Sequence, residues 1–105
     1  MKYPKSVRVG VYDVKIIQME DAEAMAHGIY GHFSPTELII RINKSLQPVK
    51  FIDTLNHELL HACYFVGELE DDDDEEKTVS VIAHIWTQIE RDNPKLIKFK
   101  QEIYR

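Results

Sequence analysis

The 105-residue chain carries 13 Lys and Arg against 18 Asp and Glu, a net charge of −5, with 44% apolar and 30% charged residues. That length holds one hydrophobic core and a single domain over residues 1–105, and the ordinary composition excludes wholesale disorder and fibrous repeats. The acidic balance with scattered basic residues excludes a duplex-binding module, and no apolar run reaches the roughly 18 residues that span a bilayer. The N-terminal MKYPKSVRVG lacks the apolar stretch of a secretion signal, so the expected location is cytoplasmic; the one cysteine, Cys63, forms no internal disulfide.

In chain order, Val7 and Val9 alternate with polar neighbours up to Gly10, and Tyr12, Val14 and Ile16 alternate in the opposite phase. This predicts a hairpin turning at Gly10. Glu20 to Met25 has helix formers without an apolar face and reads as a single helical turn. His27 to Phe33 and Thr36 to Ile42 read as strands parted by a turn at Ser34-Pro35, the second at or near a sheet edge. The period then changes. Pro48 suits the first turn of a helix, and Phe51, Ile52, Leu55, Leu59, Leu60, Ala62, Cys63 and Val66 recur at helical spacing up to Gly67. After the acidic run Glu68 to Glu76, the residues Val79, Ile82, Ala83, Trp86 and Ile89 form the stripe of a second helix, capped by the aspartates and ending near Asn93-Pro94. Pro94 to Tyr104 closes the chain as a short third helix. The predicted fold class is α+β: a small, mostly antiparallel sheet of about four strands packed on the first long helix, with two further C-terminal helices.

Residues 57 to 61 read His-Glu-Leu-Leu-His within that first helix. Positions i and i+4 differ by about 40° around a helix and about 6 Å along it, so His57 and His61 aim at one point. Leu55, Leu59, Cys63 and Val66 gather on the opposite side, turning the histidine face away from the core stripe. Two neutral ligands beside a glutamate are what a zinc hydrolase needs, with Glu58 as general base. Catalytic zinc takes a third protein ligand, for which the sequence offers His27, His32 or His84, or a carboxylate at the start of the second helix. Glu76 is favoured: the fourteen residues between it and His61 allow the chain to turn back antiparallel, whereas Glu75 shares the angular centre of the Val79, Ile82 and Trp86 stripe.

The stretch Asp53-Thr54-Leu55-Asn56-His57-Glu58-Leu59-Leu60-His61-Ala62, followed by Glu76-Lys77-Thr78-Val79-Ser80-Val81-Ile82-Ala83 and Asp92-Asn93-Pro94, resembles the small zincin-type metallopeptidase-like proteins of phages and prophages. Gly31-His32-Phe33 and Leu38-Ile39-Ile40-Arg41-Ile42 resemble that group's glycine-then-strand approach to the helix. The spacing from Glu76 to Ala83 is similar to that of ImmA/IrrE-type peptidases. The resemblance implies a minimal zincin fold with Zn2+ held by His57, His61 and Glu76, and Glu58 as the base. One departure stands out: thermolysin-like gluzincins carry an aspartate four residues after the ligand glutamate, and this chain has Ser80, which can orient a ligand but brings no charge.

The expected activity is peptide hydrolysis on a peptide or protein substrate laid along the Leu38 to Ile42 strand. The alternative is a non-catalytic metal-binding or structural accessory protein on the same scaffold, since the chain has no second lobe to wall a cleft. A DNA-associated protease of the SprT-like kind is disfavoured by the acidic balance. Cys63 lies on the core stripe and is expected to be a buried small hydrophobe, and Tyr64 shares the histidines' face. The acidic run reads as a solvated loop, or as a rim favouring cationic substrates; it lacks the spaced pattern and glycine of an EF-hand.

Overall fold

In the computed structural model, which describes residues 1–105, the alternating valines form strand β1 (Ser6–Val9), and Val14 and Ile16 anchor β2 (Tyr12–Met19). The two pair antiparallel, with Val7 opposite Val14 and Val9 opposite Tyr12. Gly10 turns the hairpin at φ 61°, where a side chain would be strained and would also run into Val66. Helix α1 (Asp21–His27) follows, seven residues where a single turn was expected. Its end is fastened by Gly28 and Ile29, whose N–H groups bond to the carbonyls of Met25 and Ala24. His27 therefore closes a helix, and the strand expected from it is only β3 (Gly31–Ser34).

A turn over residues 35–38 leads into β4 (Ile39–Asn43), so the strand expected over Thr36 to Ile42 begins three residues later, with Leu38 at φ 58° in the turn. β3 and β4 pair antiparallel, with Phe33 opposite Ile40, while β4 runs parallel to β2, with Ile40 opposite Ile16. The strand order is β1-β2-β4-β3. The sheet is thus mixed, with two antiparallel pairings around one parallel pairing. Its free edge on this side is β3; both edges of β4 are already hydrogen-bonded, so no peptide can add to the Leu38 to Ile42 strand as expected.

Helices α2 (Pro48–Val66), α3 (Glu75–Asp92) and α4 (Pro94–Tyr104) cover one face of the sheet. The core lies between, with Val7, Val14, Ile16, Ile40 and Ile42 from the strands against Phe51, Leu55, Leu59, Ile89 and Leu96 from the helices. The opposite face carries exposed charged residues such as Arg8, Asp13 and Lys15. The fold is therefore α+β in two layers, and none of its helices is long and apolar enough to cross a membrane.

Close approach of α2 and α3 explains Gly67. A Cβ there would collide with Val81 and Ile85, while the left-handed conformation that a glycine after a helix usually adopts falls instead on Glu68, at φ 52°. The packed line of α3 is shifted from the expected stripe toward Val81 and Ile85. Ile85 and Ile89 are its buried residues, with Val81, Ile82 and Trp86 packed beside them; Val79 is 54% exposed and Ala83 is exposed. Asp74 caps α3, accepting from the Lys77 N–H at 2.7 Å. At the α3–α4 junction, Asn93 accepts the Arg8 N–H at 2.7 Å and donates to the carbonyls of Arg8 at 2.9 Å and Ile89 at 2.7 Å.

Candidate metal centre

α2 presents its histidines because its opposite face is sealed. Leu55, Leu59, Ala62 and Cys63 are completely buried, and burying a leucine side chain contributes about 1.5–3 kcal/mol. The helix cannot rotate without exposing them. His57 and His61 stand exposed one turn apart, with ring centroids 4.9 Å apart and Nε2 atoms 3.3 Å apart. Two nitrogens, each about 2.0–2.1 Å from one tetrahedral zinc, are separated by about 3.3 Å. The pair therefore fits two corners of such a site; the same spacing also suits a hydrogen bond from one imidazole to the other.

Glu58 is different in character. It is only 7% exposed, enters none of the six ion pairs, and stands where α2 crosses the start of β3. Gly31 makes this approach possible: a Cβ there would lie 2.7 Å from Thr54 Cγ2, 3.0 Å from the Arg41 carbonyl and 3.5 Å from Glu58 Cγ. Two cavities meet at Glu58. One, of about 230 Å³, is lined by Tyr30, Gly31, Lys50, Asp53 and His57; the other, of about 330 Å³, by His32, Phe33, His61, Tyr64 and Phe65. Glu58 lines both, so the cavities flank it on either side, in a groove-like line along α2 and β3.

The ends of this groove differ. On the His57 side, Lys50 Nζ sits 4.8 Å from the Tyr30 ring centroid and 3.6 Å from Asp53 Oδ2. On the His61 side, Tyr64 donates its hydroxyl to the Glu70 carbonyl at 2.7 Å, tying the acidic loop to α2. Desolvation, followed by the charges of Asp71, Asp73, Asp72 and Glu70, pushes the Tyr64 phenol up from its ordinary range. Asp73 is held below the usual carboxylate range by its hydrogen bonds from Lys77 and the Glu70 N–H.

The structure brings His57, Glu58 and His61 together but does not gather three metal-holding side chains at one point. Glu76 lies exposed in the first turn of α3, on the side of Ser80, Ala83 and Thr87, roughly opposite the packed line of Ile85 and Ile89. Glu75 and His84 are exposed as well, and His27 ends α1 outside both cavities. Of the alternative histidines, His32 alone shares a cavity with His61 and Glu58. Sequence reasoning missed the parts played by Lys50, Tyr30 and Phe65. The signal available for Phe65 was an aromatic side chain at the solvent border of the histidine helix, where it remains 41% exposed.

The chain matches no protein-family model, no curated protein and no solved structure.

Proposed function

We propose that the protein is a zinc-dependent peptidase in which His57 and His61 hold the metal and Glu58 is the general base. The observation carrying this reading is the 3.3 Å approach of the two Nε2 atoms beside Glu58, a largely buried residue that enters no ion pair. When bound, zinc supplies polarisation of the scissile carbonyl and acidification of a water. Glu58 takes the water's proton and passes it to the departing amide nitrogen, with the groove on either side of it receiving the extended chain. The peptide pairs with β3, the strand that has a free edge beside α2. Glu76 remains the third ligand of this proposal on its sequence spacing; completing the set requires the first turn of α3 to swing inward.

Metal analysis and hydrolysis of an unstructured protein by wild type, Glu58→Gln and His61→Ala test the reading. Wild type and Glu58→Gln are expected to hold about one zinc per chain, His61→Ala to lose most of it, and Glu58→Gln to lose about 10²–10⁴-fold in hydrolysis. Zinc loss in Glu58→Gln would make that residue a ligand rather than a base. Retained zinc without metal-dependent cleavage of any peptide in a broad library would favour the non-catalytic scaffold.

A further inference from the structure

Phe65 sits on the histidine helix yet remains 41% exposed, its ring 6.0 Å from that of Phe33 and 6.1 Å from that of Tyr12. With Tyr64 it gives the His61-side cavity aromatic walls. Glu58, 7% exposed as a residue, lines that cavity too and stands outside every ion pair. No lysine or arginine lines it. Beyond Tyr64 lies the loop tied to it through Glu70, where nine positions from Glu68 to Glu76 hold eight carboxylates and no base. Only Asp73 among them is in an ion pair, with Lys77.

We propose that this recess receives a basic side chain, arginine or lysine, of the polypeptide bound in the groove; the assignment deepens the peptidase reading and rests on it for the use of the groove. Aromatic faces attract cations, and the aliphatic stem of either residue packs on Phe65 while its charged head reaches the loop carboxylates beyond Tyr64. An acidic side chain is repelled by Glu58 and the loop. An aliphatic one fills the space but covers the Glu58 carboxylate without a compensating charge. The opposite end of the groove is unsuited to the same residue, because Lys50 is already seated there over Tyr30.

The test uses the full chain, stripped of metal by chelator, and labelled peptides identical except at one position, which is Arg, Lys, Leu, Phe or Glu. Fluorescence anisotropy should give about tenfold tighter binding for Arg and Lys than for Leu or Glu, a difference lost in about 1 M salt. Asp71→Asn/Asp72→Asn, both exposed loop positions, should reduce that preference, as should Phe65→Ala. Equal binding across the series, a preference for Leu or Phe, or a basic preference untouched by both variants would overturn the proposal. Repeating the series with zinc restored separates the two readings: basic preference in binding without any cleavage overturns the peptidase and leaves the recess, while cleavage without basic preference overturns the recess and leaves the peptidase.

Discussion

The two faces of α2 carry opposite demands on one set of backbone hydrogen bonds. On one, Phe51, Ile52, Leu55, Leu59, Ala62 and Cys63 are at most 1% exposed and interlock with the sheet and the other helices. On the other, His57 and His61 are exposed, Leu60 is 44% exposed, and Thr54 and Glu58 are drawn under β3. The sealed face fixes the helix in rotation and depth, which leaves the open face free of any packing duty and so free to hold groups that water and ligands can reach. Solvent access and core packing are thereby assigned to different residues a few positions apart. Substitutions on the two faces should therefore produce different signatures.

The largest difference is expected between Phe51→Ala and Leu60→Ala. Phe51 is fully buried between the rings of Tyr3, 5.6 Å away, and Phe99, 6.1 Å away, so its loss should cost about 3–5 kcal/mol in urea unfolding. Leu60→Ala should cost well under about 1 kcal/mol. Similar costs would break the division. Gly31→Ala lies on the border: its new Cβ meets Thr54 and the Arg41 carbonyl, so it should destabilise by about 1–3 kcal/mol and shift the resonances of Glu58 and Thr54. A neutral Gly31→Ala would show that β3 does not hold Glu58 in place.

The smallest effect concerns Cys63. Burial pushes its thiol up to about 11, so the folded state favours the neutral form more than the unfolded chain does. That contribution is fully present below the unfolded thiol's pKa of about 8.5 and is lost as pH rises toward about 11. Stability should fall over this window and fall less in Cys63→Ala. Alkylation of Cys63 at pH 8 should require denaturant, and rapid labelling of the folded protein would contradict a sealed face.

The histidine helix was legible because its evidence is local: a period of 3.6 residues places both the core stripe and the His-Glu-Leu-Leu-His face within nineteen residues. The hairpin at Gly10 and the turn at Ser34-Pro35 were legible for the same reason. Sheet order was not, because the parallel pairing of β2 with β4 depends on how α1 and β3 fit into the crossover, and no alternation pattern within Leu38 to Ile42 encodes its neighbours. The expected stripe of α3 was right for Ile82, Trp86 and Ile89 but wrong for Val79 and Ala83, whose places are taken by Val81 and Ile85, the side chains that approach Gly67. The preference for Glu76 over Glu75 used that same wheel, and both glutamates lie exposed.

Asn93 bears on the order in which the chain closes. It holds both the N–H and the carbonyl of Arg8, a partner 85 positions earlier. β1 is thus secured by a residue 85 positions further along the chain, and the α3–α4 junction must be in place before β1 gains those bonds. Contacts of such sequence separation are closed late and at a cost in chain entropy. Closure of β1 onto the helices is therefore expected to be a late step in the folding of this domain.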